Sequence, residues 1–246
     1  MIPVSASPRL RDLLRSAPSG PLRVLHRGRD AVYVEVAGSC VGVVGARATA
    51  VPCALRSRFD DLCTPDGGLP GAEAYLRDGD IHLDERHIRI GRLVDVTVPS
   101  LPSTASSVAA SPVPPAAVAG LVGPVPAAIT PDDVARIIGR GDGLTPLGDD
   151  VLCGWLAIHR AAGIATADVD AAVRAHADRT TLLSATLLDC ALHGEVLPEF
   201  AAYVLSLGTP DESATAARLA AVGHTSGSGL LHGARLALTA LQGVAA

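Results

Sequence analysis

Three short segments in the second half of the chain bring glycine, hydroxyl and charged residues together in patterns that suit chemistry on a small anion. The first runs Gly139-Arg140-Gly141-Asp142-Gly143-Leu144-Thr145-Pro146-Leu147-Gly148-Asp149-Asp150. Its glycines permit left-handed backbone and a close approach to a ligand. The loop leads into a helix start, where backbone amides and the dipole favour an anion. Helix-start chemistry alone accounts for Thr145 as the cap and Pro146 at the first position. It leaves Gly148 unexplained, because glycine inside a helix costs about 1 kcal/mol against alanine.

The second segment is Arg179-Thr180-Thr181-Leu182-Leu183-Ser184-Ala185-Thr186, in which Thr180 suits an N-cap and Ser184 adds a hydroxyl to an otherwise apolar helix. Such hydroxyls also back-bond to their own helix, so an ordinary structural role is the competing reading. The third is Gly223-His224-Thr225-Ser226-Gly227-Ser228-Gly229, again small residues entering a helix. If the fold brings the three helix starts within about 20 Å, roughly two helix diameters, they make an anion cradle. Arg140, Gly141, Gly143, Thr145, Arg179, Thr180, Thr181, Ser184, Thr225 and Ser226 are then the expected binding residues. Arg suits planar carboxylate or phosphate. His224, Asp149 and Asp150 are the expected catalytic residues, the acids orienting His224 or an arginine.

All 20 basic residues are arginine; the chain has no Lys and no Asn. That excludes a Walker-type phosphate loop, Schiff-base chemistry, a Ser-Lys pair and a Cys-His-Asn triad. The net charge of −5 and the 2% aromatic content argue against nucleic acid. The five cysteines lack CxxC spacing, so no disulfide framework or zinc ribbon is expected. His159, His176, His193 and His232 fall in helices without metal-ligand spacing, and His82 and His87 are expected to face solvent on a hairpin. No metal and no cofactor are expected. The chain opens with no basic, apolar leader, and prolines and serines break the uncharged stretch Val96 to Pro131 too often for a membrane helix. A cytoplasmic location is the expectation.

The elements that must position these segments change period along the chain. Ser7-Pro8 starts a short helix. Strand-like runs follow at Leu22–His26, Ala31–Ala37, Cys40–Val44, Ile81–Leu83, His87–Ile90 and Leu93–Val98. After Thr130 the period is helical, with seven segments starting near Thr130, Thr145, Thr166, Thr180, Pro198, Thr209 and Thr225. Thr209-Pro210-Asp211-Glu212 reads as a capping box. The expected fold is α+β: a small N-terminal β-barrel or sandwich over residues 1–98, a Pro/Ser/Ala-rich linker or strap over 99–130, and a C-terminal α-helical bundle over 131–246 carrying the motifs.

The ordered set G-x-G-x-G-L-T-P-x-G-D-D, T-T-x-x-S and G-H-T-S-G resembles the bacterial family of the AllH-type subunit of oxamate carbamoyltransferase. The motif positions are Gly139, Gly141, Gly143, Leu144, Thr145, Pro146, Gly148, Asp149 and Asp150, then Thr180, Thr181 and Ser184, then Gly223, His224, Thr225, Ser226 and Gly227. Asp142 and Leu147 depart from the more usual Pro and Ser. The resemblance implies a carbamoyltransferase subunit in allantoin (purine nitrogen) breakdown that works with FdrA-like and AllG-type partner subunits. Its substrates would be oxalurate, phosphate, oxamate and carbamoyl phosphate, all small anions. The competing readings are a non-catalytic structural subunit that docks FdrA-like partners and a metal-dependent hydrolase built on Asp149 and Asp150.

Overall fold

The computed structural model describes residues 1–60, 73–103, 126 and 128–244. The chain separates into two compact units, Met1–Val96 and Thr97–Ala246. Most of the expected strap, and Cys63, lie outside the described residues. Cys40, Cys53, Cys153 and Cys190 are buried and form no disulfide among the described residues. Burial, aided by the charge of Glu35, pushes the Cys40 thiol up to about 12.

The first unit is a closed eight-stranded barrel. Its strands are β1 (Ile2–Ala6), β2 (Gly20–Arg27), β3 (Ala31–Val36), β4 (Ser39–Val44), β5 (Ala54–Ser57), β6 (Ala74–Arg77), β7 (Asp80–Leu83) and β8 (Arg86–Leu93). The order around the barrel is β1-β5-β4-β3-β2-β6-β7-β8. Closure therefore decides between barrel and sandwich. The alternation legible in β3 is real: Val32, Val34 and Val36 are buried, with Ala31, Tyr33 and Glu35 between them less so. Helix α1 (Pro8–Ser16) starts at Ser7, whose hydroxyl accepts from the Leu10 amide at 3.2 Å, and buries Leu10 and Leu14 in the barrel core.

Three strands were not legible, β1, β5 and β6. Each is only four or five residues long and carries Pro, Arg or Tyr where a clean alternation would help. The expected strand Leu93–Val98 does not form. β8 ends at Leu93, and the chain leaves the barrel. Thr97 bridges Glu195, and the Val98 amide donates to the Gly194 carbonyl at 2.7 Å, both within the second unit. His82 and His87 are half-buried rather than solvent-facing. Their rings stack at 4.6 Å, and His87 Nε2 sits 2.7 Å from Asp80 Oδ2.

Among the described residues the second unit holds seven α-helices: α2 (Pro131–Ile137), α3 (Leu147–Ala161), α4 (Ala167–Ala175), α5 (Leu182–Leu192), α6 (Pro198–Ser206), α7 (Glu212–Ala220) and α8 (Ser226–Val244). The α+β class, with strands first and helices after, matches the expectation from sequence. Thr130 caps α2 through a capping box with Asp133. Burial pushes the Asp133 carboxyl up, but the Thr130 hydroxyl and amide and the Arg136 guanidinium more than offset that and hold it below the usual carboxylate range. The expected box at Thr209 is displaced: α7 begins at Glu212, Thr209 accepts from the Asp211 amide, and Glu212 reaches back to the Gly208 amide at 2.8 Å.

Helix α3 is the inner element, buried at every position from Leu147 to His159. It packs closely on α8 because both helices use glycine where they meet. A Cβ at Gly154 would lie 2.0 Å from the Leu230 carbonyl oxygen, and one at Gly233 would lie 1.9 Å from that of Val151. No side chain fits at either place.

Candidate functional site

The three motif segments meet at the N-terminal end of α3. The loop from Gly139 to Pro146 turns through left-handed backbone at Gly139, Gly141 and Gly143, with φ of +72°, +115° and +90°. Gly139 is also needed for room, since a Cβ there would lie 2.4 Å from the Arg179 carbonyl oxygen. Gly143 has open space around it, so only its backbone conformation favours glycine. Gly148 is explained by packing: its missing Cβ would sit 2.2 Å from the Ile137 carbonyl oxygen. The helix-propensity cost read from the sequence therefore reflects close contact between α3 and the end of α2, and it carries no evidence for a ligand.

Asp149 and Asp150 are adjacent, yet their neighbours differ, because successive helix residues point about 100° apart. Asp149 is 1% exposed and faces the first two segments. Its Oδ1 accepts from the Gly139 amide at 2.7 Å, and its Oδ2 accepts from the Ser184 hydroxyl at 2.6 Å and from the Thr180 hydroxyl. Both oxygens are thus occupied by protein donors. The same donors were expected to hold an external anion; the protein supplies that carboxylate itself. Asp149 is the tie between the loop and α5.

Asp150 faces the third segment. It is 5% exposed and shares a hydrogen bond with the Ser226 side chain. Ser226 Oγ lies 2.9 Å from Thr145 Oγ1, which links the loop to the start of α8. Asp150 Oδ2 is buried with no hydrogen-bond partner among the described residues. Burial pushes this carboxyl well above the usual carboxylate range; the Ser226 hydrogen bond pulls the other way, and the neighbouring Asp149 charge adds to the rise. A neutral carboxyl at this position has an O–H to donate.

Two caps differ from the sequence reading by one residue. Helix α3 is preceded by Pro146 rather than capped by Thr145, whose hydroxyl goes to Ser226 instead. Helix α5 is capped by Thr181, which accepts from the Ser184 amide at 3.0 Å and donates to the Leu144 carbonyl at 2.5 Å. Thr180 is thereby released to bind Asp149. Three first-turn amides of α3 are also taken: Gly148 donates to the Arg140 carbonyl, and Asp149 and Asp150 donate to that of Pro146. An anion at α3 would compete with these carbonyls for the same donors.

The remaining candidates lie at the rim. His224 is exposed in the turn before α8, where Gly223 has φ +62°. Neither acid orients it, since Asp149 is occupied and Asp150 pairs with Ser226. Thr225 precedes Ser226, and its carbonyl accepts from the Gly229 amide at 3.0 Å. Arg140 and Arg179 are exposed, each with one bond to a backbone carbonyl, of Arg136 and Ala135 respectively. Gly141 supports the loop, since its Cβ would lie 2.7 Å from the Leu147 amide. Among the described residues no three His, Cys, Asp or Glu cluster as metal ligands, and no helix is long and apolar enough to cross a membrane. Sequence reasoning missed the division of labour between the two acids; the 100° step between adjacent helix residues was the available signal.

No curated protein and no solved structure matches the chain significantly. A family comparison does match, over residues 137–238, and that span contains all three motifs and the whole Asp149/Asp150 cluster. Its description is oxamate carbamoyltransferase subunit AllH, and over this segment, less than half of its length, the chain is similar to that family.

Proposed function

We propose that the chain is a subunit of, or a protein similar to, a carbamoyltransferase acting on oxalurate or oxamate and carbamoyl phosphate, and that its substrate-facing group is Asp150. The observation that carries this reading is the buried, unpartnered Asp150 Oδ2 at the meeting point of three motifs within the AllH-like segment. Carbamoyl transfer asks for positioning and charge stabilisation more than for a strong base. In the direction from oxalurate, a phosphate oxygen bonds to the terminal carbamoyl carbon and the C–N bond to the oxamate nitrogen breaks. A proton must then reach that nitrogen. A neutral Asp150 carboxyl is suited to deliver it, with Ser226 and Thr145 holding the carboxyl in place. His224, Arg140 and Arg179, exposed at the rim, suit the negative ends of the substrates. FdrA-like and AllG-type chains are the proposed partners.

Leu144, 45% exposed within the first motif, favours a second reading in which this end of the helical unit docks a partner and does no chemistry. A thermal-shift series with oxamate and oxalurate, the candidate substrates without a phosphoryl group, separates the two. Stabilisation by one of these anions that disappears in Asp150→Asn supports the substrate site. Equal stabilisation of both proteins removes Asp150 from it, and no stabilisation by either anion, with a partner chain co-purifying, supports the docking subunit.

A further inference from the structure

Four arginines line one polar pocket on the barrel unit, outside the AllH-like segment. Arg11 and Arg15 stand one turn apart on α1, Arg89 and Arg92 come from β8, and the turn Asp78-Gly79-Asp80 forms the opposite rim. The pocket encloses about 300 Å³, the scale of a small ion with some of its water. Its lining carries four guanidiniums against the carboxylates of Asp78 and Asp80 in a protein whose net charge is −5.

The local acids do not cancel this excess. Arg11 Nε donates to Asp12 at 2.8 Å. Asp80 Oδ2 is engaged by His87 at 2.7 Å and lies 3.9 Å from Arg89. Arg15 and Arg92 have no ion pair or side-chain hydrogen bond among the described residues. Like charges four apart on a helix repel, and two more from β8 add to the repulsion. The stem of Arg15 runs beside the Gly79 turn, where a Cβ would lie 3.1 Å from Arg15 Cγ. A guanidinium with no ion pair among the described residues, lining one pocket with three others, is an arrangement that a multiply charged anion would satisfy.

We infer that this pocket binds a small dianion of the phosphate class, held by Arg15 and Arg92 with Arg11 and Arg89 completing the positive field. The ligand chemistry fits free inorganic phosphate and the terminal phosphoryl group of a small ester alike, because the planar guanidinium fork meets two oxygens of either. The site is independent of Asp150.

Isothermal titration of the full chain with inorganic phosphate, and in parallel with glycerol phosphate, tests it. Saturable binding of either is expected, with a component that is at least tenfold weaker in the double variant Arg15→Gln/Arg92→Gln and persists in Asp150→Asn. Which anion binds more tightly identifies the source. Asp78→Asn, which removes a negative charge from the rim, is expected to tighten binding and guards against misfolding of the double variant. Equal affinity in wild type and double variant, loss of binding in Asp150→Asn, or complete displacement by chloride at matched ionic strength overturns the proposal.

Discussion

The hydroxyls of Thr145 and Ser226 meet at 2.9 Å although 81 residues separate them. Thr145 ends the glycine loop and Ser226 opens the last helix, so this contact joins the first motif to the third. Ser226 also bonds Asp150. Ser226→Ala therefore strands two groups at once, and an unsatisfied buried polar group costs about 1–3 kcal/mol. Thr145→Val loses only its own hydroxyl and is expected to cost about 1 kcal/mol. Urea unfolding of the single and double variants gives the coupling. Additive losses would mean that the two hydroxyls do not act together.

Asp150 sets a pH dependence whose sign follows from its burial. Its carboxyl is raised in the folded protein, so the folded state keeps a proton that the unfolded chain has released. This contribution is fully present below the ordinary carboxylate value, about 3.9, and is lost as pH rises toward the folded value. Asp150→Asn mimics the neutral form and removes the dependence. The melting temperature of the variant minus that of wild type should grow as pH rises through that window. A difference that stays flat with pH would show that Asp150 is not held neutral by the fold.

Asp149 behaves differently under the same change. All three of its partners are donors, the Gly139 amide and the hydroxyls of Thr180 and Ser184. Asp149→Asn turns an NH₂ toward at least one of them. Loss of a hydrogen bond to a charged group costs about 1.5–3 kcal/mol, so this variant should be destabilised and show faster amide exchange at Gly139. An unchanged unfolding midpoint would contradict the geometry.

The α3–α8 contact predicts that helix propensity loses to packing. Alanine at Gly154 or Gly233 gains about 1 kcal/mol of propensity. Its Cβ, however, would fall within about 2.0 Å of a backbone carbonyl oxygen on the facing helix. Overpacking of this kind costs about 1–3 kcal/mol or more. Both variants should melt below wild type in calorimetry, and a rise in melting temperature at either position would mean that the helices stand farther apart.

Ser7 in the barrel unit and Thr130 in the helical unit offer a calibration of ordinary capping. Ser7→Ala and Thr130→Ala each remove a hydroxyl that accepts a first-turn amide, and each should cost about 1 kcal/mol. Thr130→Ala should also lose less stability than wild type on acidification, because the hydroxyl that helps hold the Asp133 carboxyl down is gone. The depressed Asp133 carboxyl contributes stability above its unfolded value, and that contribution is lost as pH falls. Chemical denaturation at neutral and acidic pH reads both effects.

Local physics determined much of this protein from sequence. Alternation in Val32-Tyr33-Val34-Glu35-Val36 makes a half-buried strand wherever it is placed, and Pro or Thr before an apolar run starts a helix wherever it is placed, so the strand-then-helix order and the three motif segments were readable. The missing lysines confined any anion chemistry to arginine, hydroxyls and amides. Tertiary structure decided what depends on distant neighbours: whether the sheet closes, which hydroxyl caps and which bonds an acid, and which glycines serve contact. Asp149 and Asp150 make the point most sharply. They are the same residue type in adjacent positions, and a 100° rotation sends one toward three donors and leaves an oxygen of the other buried and unpaired. Such a difference lies in the surroundings of the side chains, which no local pattern encodes.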